Sequence, residues 1–118
     1  MDKSSKVLLV KLNMKCSEDS KKAYLKLHKL LMGLGNIEFR VFPLYITYRN
    51  IKTDKVFVVI YPKREYLDVG ISYKGGKTSK VAMKSAKHMK YPGITKSIVI
   101  KKTSDLTNAV NEIILGGA

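Results

Sequence analysis

Nine lysines and no acidic residue lie between Lys74 and Lys102, a density of like charge that is typical of proteins binding polyanions. Five of these lysines recur at spacings of three and four residues. On a helix their ammonium groups would follow one line, as phosphates do along a nucleic-acid strand. The competing interpretation is a solvated basic face that binds no ligand. The candidate nucleic-acid-binding residues are Lys74, Lys77, Lys80, Lys84, Lys87, Lys90, Lys96, Lys101 and Lys102.

The balance between the two cationic side chains indicates which part of a nucleic acid would be contacted. The chain has 23 Lys+Arg against 9 Asp+Glu, for a formal charge of +14, and only Arg40, Arg49 and Arg64 are arginines. Lysine is a hydrated point charge that contacts phosphate without a fixed geometry, whereas arginine is the usual reader of guanine edges. The composition therefore favours contact with the backbone of DNA or RNA, with little sequence specificity.

Tyrosines interleaved with cations in the middle of the chain form a second candidate site. Stacking of bases on tyrosine rings beside cations is how many proteins hold single strands. Tyrosine is also a good strand former and a core filler with a polar tip, and the sequence alone favours this second explanation. The set consists of Tyr45, Tyr48, Tyr61, Tyr66 and Tyr73, with Arg49, Lys63, Arg64 and Lys74.

Catalytic signals are weak throughout the chain. Gly75-Gly76-Lys77-Thr78 resembles the end of a phosphate-binding P-loop, but Gly70 lies one residue too far upstream to complete the motif. His28 is expected to pack beside the first helix, His88 lies among the lysines, and Cys16 has no evident partner. The acidic residues are scattered and form no pair or cluster suited to a metal. The chain is therefore predicted to be non-enzymatic, with no cofactor, no metal and no small-molecule substrate.

Size and composition bound the domain organisation. With 118 residues, of which 45% are hydrophobic and 27% charged, the chain is predicted to form one domain over 1–118, with residues 1–5 flexible. The longest apolar run, Val56 to Tyr61, is far shorter than the roughly 18 residues of a membrane span, so no membrane span is expected. The lone Cys16 excludes an internal disulfide, and with no signal-peptide pattern it predicts a cytoplasmic location.

Capping signals and hydrophobic periodicity predict the elements in the first half of the chain. Ser17 is a good N-cap followed by acidic residues, and apolar residues then recur at three- and four-residue spacing through Leu34 before glycines end the helix. Three strand-like runs follow, and Pro43 marks the first of them as an edge strand or as one broken by a bulge. These strands are predicted over Ile37 to Arg49, Lys55 to Tyr61 and Tyr66 to Tyr73.

The second half is predicted to contain two helices around one strand. Thr78 to Lys90 has the pattern of an amphipathic helix with lysines on one side. Lys96 to Lys101 alternates as a strand, and a last helix follows the cap Thr103-Ser104-Asp105. An apolar stretch over 6–14 adds a possible first strand. The predicted fold class is α+β, an antiparallel meander sheet with helices packed on one face, in the order (β)-α-β-β-β-α-β-α.

Hydrophobic stretches between residues 17 and 115 follow the pattern of a known family. They are Leu30 to Gly35 with Tyr45 to Arg49, Val56 to Lys63 with Tyr66 to Gly70, and Ile98 to Lys101 with Ser104-Asp105-Leu106. In these stretches the chain resembles a small uncharacterised α+β domain found at the C-terminus of predicted transport proteins and beside restriction-like nuclease modules. The resemblance implies an α+β fold and no catalytic residue. Relatives often carry a His-Trp-Gly stretch before the last strand, where this chain has His88, no tryptophan and a basic segment.

Three functional hypotheses follow from the sequence. The leading one is a non-enzymatic module that binds the phosphate backbone of DNA or RNA through its lysines. The alternative, from another class, is an accessory protein-interaction domain whose partner is an acidic protein. A third is a fragment of a larger enzyme whose catalytic part lies elsewhere.

Overall fold

A computed structural model describes residues 17–72, 84–86, 89, 91 and 93–107. The predicted α+β class is confirmed, and the possible strand at 6–14 lies outside these residues. Residues 103–107 are helical. The other elements are α1 (Glu18–Met32), β1 (Ile37–Val41), β2 (Ile46–Asn50), β3 (Lys55–Pro62), β4 (Leu67–Ile71), β5 (Lys84–Ser85) and β6 (Lys96–Ile100).

Helix α1 begins where the sequence places an N-cap. The backbone N–H of Ser20 donates to the Ser17 hydroxyl over 3.3 Å, which satisfies one of the free donors of the first turn. The backbone N–H of Ser17 donates to the carbonyl of Arg64 over 2.8 Å, so the start of the helix is tied to the turn between β3 and β4. No helix in the described part of the chain is long and apolar enough to cross a membrane.

One stripe of α1 packs on the sheet. Its fully buried apolar residues are Ala23, Tyr24, Leu27 and Leu31. Leu30 and Leu34, predicted in the same stripe, are exposed instead. The helix ends at Met32, so Leu34 no longer follows helical spacing, and Leu30 falls at the edge of the stripe.

Six strands of the described residues form one antiparallel sheet in the order β1-β2-β3-β4-β6-β5. The first four strands form the predicted meander. Strand β6 pairs with β4, and β5 pairs with the other side of β6. The edge strand β5 therefore precedes β6 in the chain, and β6 lies between β4 and β5 in the sheet.

A register shift bends the middle of the sheet. Val58 lies opposite Tyr48 and Val56 lies opposite Arg49, which leaves Phe57 as the extra residue of a bulge in β3. Phe57 and Val58 both join the core beneath α1, whereas Val56 and Val59 belong to the other side. The bulge thus adds one large ring to the main core.

The sheet has two unequal apolar faces. The face under α1 carries the main core, which also includes Leu106 of the last helical segment, so both helical segments pack on the same face as predicted. The opposite face carries a smaller cluster formed by Val59 of β3 together with Ala86, Met89 and Ile94. The chain between β4 and β6 thus contributes the covering side chains of this second face.

Gly70 in β4 allows this covering segment to approach the sheet closely. A Cβ atom at this position would overlap the Met89 sulfur and lie 2.7 Å from Cγ2 of Ile94. Real Cβ atoms do not approach other heavy atoms so closely, so Met89 and Ile94 occupy the space that a side chain at residue 70 would need. Glycine in a strand interior commonly marks such an approach.

The predicted first strand is two strands. Pro43 lies in the turn between β1 and β2, where the N–H of Phe42 donates to the carbonyl of Tyr45 over 2.8 Å. The run predicted over Ile37 to Arg49 is therefore broken at Pro43, by a turn and not by the bulge that was predicted as one alternative, and β1 lies at the edge of the sheet. Proline suits a turn because its ring presets the backbone angle that a turn needs. A turn position also has no ladder hydrogen bond to lose.

The helix predicted over Thr78 to Lys90 was wrong at Lys84 and Ser85. These residues form β5, in register with Ser97 and Lys96, and the N–H of Ala86 continues the pairing by donating to the Thr95 carbonyl. Without β5, the outer edge of β6 would have unpaired backbone groups. The pairing of β5 with this edge overrides the helical periodicity of a short stretch of sequence. Residues 78–83, 87, 88 and 90 lie outside the described residues.

Candidate nucleic-acid interface

Three of the nine predicted lysines have described side chains, and all three are exposed. Lys96 begins β6, while Lys101 and Lys102 connect β6 to the last helical segment. The backbone of Lys84 lies in β5, which is extended, so the single helical line of ammonium groups predicted from the sequence does not pass through it. The remaining candidates, Lys74, Lys77, Lys80, Lys87 and Lys90, lie outside the described residues.

Glu18, Glu38 and Asp54 form ion pairs with cations in other parts of the molecule. These pairs join Lys21 to Glu18, Arg40 to Glu38, and Arg49 to both Glu38 and Asp54. Asp105, the acid nearest in sequence to the exposed lysines, accepts the backbone N–H of Lys101 over 3.0 Å. None of Lys96, Lys101 and Lys102 forms an ion pair with a described carboxylate. Within the described part of the chain, their exposed charges are therefore not neutralised.

The predicted tyrosine set divides between the two faces of the sheet. Tyr48 is fully buried beneath α1, whereas Tyr45 and Tyr61 are partly exposed on the opposite face. Tyr66 is partly exposed in the turn before β4, and Tyr73 lies outside the described residues. A single row of five stacking rings is therefore not present, and two of the predicted tyrosines come together.

Tyr48 takes part in a hydrogen-bonded group in the main core. Its hydroxyl is bonded to that of Tyr24, and it lies 2.8 Å from Nδ1 of His28. The His28 ring also meets the ring of Phe39 edge-on, with centroids 4.7 Å apart. Burial above all raises the pKa of both tyrosines well beyond the usual range. These contacts agree with the interpretation of His28 as a packing residue.

Four rings meet on the face opposite α1, and we call them the aromatic cluster: Phe42, Tyr45, Tyr61 and Tyr91. Tyr45 is at the centre, stacked on Phe42 with centroids 4.9 Å apart and an angle of 23° between planes. Its other neighbours are Tyr61 at 5.1 Å, tilted by 33°, and Tyr91 at 6.2 Å, edge-on. All four rings are partly exposed. They extend the small cluster of Val59 and Met89 toward solvent.

A carboxylate and a cation both lie near Tyr61 of the aromatic cluster. Burial, and after it the neighbouring Tyr45, Asp68 and Tyr91, raises the pKa of Tyr61, while burial followed by Tyr45 raises the pKa of Tyr91. The hydroxyl of Tyr61 is 3.5 Å from the Met89 carbonyl. The ammonium of Lys63 lies 5.7 Å from the centroid of the Tyr61 ring, within the range of a cation–π contact. An anion that approaches Tyr61 therefore meets Lys63 as well as the carboxylate of Asp68.

Phe42 and Tyr91 are members of the cluster that sequence reasoning did not select. Phe42 precedes Pro43 in a turn that had been assigned to a strand, and Tyr91 is distant from Tyr45 in sequence. Pro43 was the sequence signal that could have placed Phe42 in a turn, since proline favours turns. Tyr91 required knowledge that the chain after β4 crosses this face.

Neither a metal-binding group among the described residues nor a similar known protein points to a function. Among the described residues no group of His, Cys, Asp and Glu is placed to hold a metal ion. In comparisons with protein-family models, curated proteins and solved structures, none matches this chain. The resemblance to the domain associated with transport proteins and nuclease modules stays a prediction.

Proposed function

We propose that this protein is a non-enzymatic module that binds nucleic acid through the phosphate backbone, with little sequence specificity. The observation that carries the proposal is the run of nine lysines without an acidic residue between Lys74 and Lys102. Lys96, Lys101 and Lys102 support it, because their exposed ammonium groups have no described carboxylate as a partner. A cytoplasmic location belongs to the same proposal.

Electrostatic binding of this kind has a characteristic dependence on salt. Each phosphate that a lysine neutralises releases condensed counterions, so the logarithm of the binding constant falls with the logarithm of salt by about 0.9 per contact on duplex DNA. Fluorescence anisotropy with labelled duplex DNA, single-stranded DNA and RNA between about 50 and 300 mM salt measures this slope. We expect a steep slope and similar affinities for unrelated sequences.

Charge reversal locates the contact surface. We expect Lys96→Glu, Lys101→Glu and Lys102→Glu together to weaken binding by at least about tenfold at 100 mM salt and to reduce the slope by about two to three. A second triple variant, Lys80→Glu, Lys84→Glu and Lys87→Glu, tests the rest of the segment in the same way. The first variant is expected to stay folded, since its three lysines are exposed and surface substitutions usually change stability little.

The control carries the same change of charge on other surfaces: Lys22→Glu, Lys29→Glu and Lys52→Glu, all at exposed positions. It should retain most of the affinity. Equal losses in all three triple variants would mean that net charge alone, and no defined surface, holds the nucleic acid. No binding of the unmodified protein at the lowest salt would contradict the proposal and favour an acidic protein as the partner.

A further inference from the structure

The aromatic cluster is built differently from the tyrosines that only fill the core. Tyr24 and Tyr48 are completely buried and bonded to each other through their hydroxyls. Phe42, Tyr45 and Tyr91 keep part of their rings in solvent, although the same sheet face contains apolar residues that are covered. Large rings held at the surface in mutual contact leave exposed parts of their faces and edges that another ring can reach.

The rings of Phe42, Tyr45 and Tyr61 follow one another as a tilted stack. Their successive centroids are 4.9 and 5.1 Å apart, and the planes differ by 23° and 33°. Offset stacking at such distances is favourable between aromatic rings, and a nucleobase extends a stack in the same way. The positions of these rings are set by the turn of Pro43 and by β3, both of which belong to the antiparallel sheet.

Two cations that can contact a phosphate backbone lie near the stack. Lys63 reaches the ring of Tyr61, and Arg64 follows it at an exposed position. Carboxylates are present on this side too: Asp68 lies opposite Tyr61 in register and is only 9% exposed, Glu38 is paired with Arg49, and Glu65 follows Arg64. The attraction to phosphate beside the rings therefore comes from Lys63 and Arg64 within a chain whose formal charge is +14.

We infer that the aromatic cluster is a base-stacking surface and that the preferred ligand of this protein is single-stranded nucleic acid. This inference rests on the proposed function, since the lysines supply the attraction to phosphate. In a duplex both faces of each base are covered by neighbouring bases, so only an unpaired strand can place a base against an exposed ring of the aromatic cluster. Phosphate contacts alone would give no such preference for unpaired bases.

The decisive experiment uses the unmodified protein and two strands of equal length and charge. One is a single-stranded oligonucleotide with bases, and the other is its abasic counterpart, which retains sugar and phosphate. We expect the strand with bases to bind at least about tenfold more tightly, because stacking of one base contributes on the order of a tenfold gain or more. Binding should also quench tyrosine emission, which is observable because the chain has no tryptophan.

Substitutions then assign the effect to the cluster. Tyr45→Leu with Tyr61→Leu should remove most of the advantage of the strand with bases, while affinity for duplex and for the abasic strand changes by less than about twofold. Tyr45→Phe with Tyr61→Phe keeps both rings and should keep the advantage. Tyr66→Leu, at a partly exposed tyrosine outside the cluster, is the matched control.

The outcomes distinguish failure of the base-stacking inference from failure of the proposed phosphate-binding function. Equal affinity for the strands with and without bases would overturn the stacking surface and leave the phosphate-binding function intact. No binding to either strand at low salt would overturn both. A loss of duplex and single-strand affinity by the same factor in the leucine variant would also count against stacking. The comparison of the two strands with unmodified protein decides the question even if the leucine variant does not fold.

Discussion

The hydroxyls of Tyr24 and Tyr48 link the stability of the main core to pH. Both side chains are buried, and their raised pKa values mean that the folded protein resists losing these protons. Below about pH 10 the two tyrosines are neutral in both the folded and the unfolded state, so they add no dependence on pH. Above that value the unfolded chain loses the protons while the folded chain holds them, and the free energy of unfolding falls.

We predict that Tyr24→Phe reduces this alkaline loss of stability. Each buried tyrosine contributes up to about 1.4 kcal/mol per pH unit above its unfolded pKa, so removing one lowers the slope by about that amount. At pH 7 the variant should lose only about 1 kcal/mol, because the Tyr48 hydroxyl retains His28 as a partner. Urea unfolding between pH 7 and about 11.5 measures both effects. Tyr66→Phe serves as the control, and an unchanged slope in Tyr24→Phe would contradict the prediction.

At the scale of elements, the contact between β4 and the segment that covers it depends on the absence of a side chain at Gly70. The two side chains that fill its place come from Met89 and Ile94, far along the chain. The contact joins the strand to Met89, whose backbone N–H donates to the Ala86 carbonyl in a helical turn, and to Ile94, which precedes β6. Gly70 therefore determines how closely Met89 and Ile94 approach the sheet.

We predict that Gly70→Ala destabilises the fold by about 1–3 kcal/mol, because the added methyl group forces Met89 and Ile94 apart. Met89→Ala opens room for it, so the double variant should be less destabilised than the sum of the two single variants. Denaturant unfolding of the four proteins gives the coupling. Gly33→Ala is the control: its φ of −69° suits any residue, and a change of no more than about 1 kcal/mol is expected. Strict additivity of Gly70→Ala and Met89→Ala would show that the two positions do not compete for space.

The elements that could be predicted from the sequence are those fixed by local signals. The N-cap at Ser17, the continuous apolar run of β3 and the turns on either side of it all depend on neighbours in the chain. Strand β5 and the aromatic cluster depend on partners that are remote in sequence. Lys84 pairs with an edge of β6, and the ring of Tyr45 contacts that of Tyr91. Neither contact can be predicted from the periodicity of the nearby sequence. The candidate lysines were selected by their density and spacing along the chain, which do not determine how the folded chain arranges them.

At the scale of the whole molecule, the excess of positive charge opposes compaction. A formal charge of +14 is held within extents of 37 × 30 × 25 Å, and the described ion pairs involve few of the cations. At about 10 mM salt the screening length is about 30 Å, comparable with the size of the domain, and at 100 mM it is about 10 Å. Repulsion between distant lysines is therefore felt across the molecule at low salt and is much weaker near physiological salt.

We predict that raising salt from about 10 to 100 mM increases the temperature of thermal unfolding by several degrees, because screening removes repulsion that is strongest in the folded state. The triple variant Lys96→Glu, Lys101→Glu and Lys102→Glu, which lowers the formal charge by six, should show a smaller increase. Calorimetry at a series of salt concentrations tests this expectation. An unfolding temperature that falls with salt, or an equal response of both proteins, would contradict it.

The place of β6 in the sheet has a consequence for the order in which the chain folds. Pairings β1–β2, β2–β3 and β3–β4 join neighbours across short turns, but β6 reaches β4 only after residues 72–95 have been spanned. Loop closure over this longer separation carries a larger entropic cost, so the meander is the natural nucleus and β6, with β5 on its outer edge, docks late. The segment that must close also carries six lysines and no acidic residue. A polyanion would relieve its self-repulsion, so a nucleic acid would favour the last step of folding as well as occupy the finished surface.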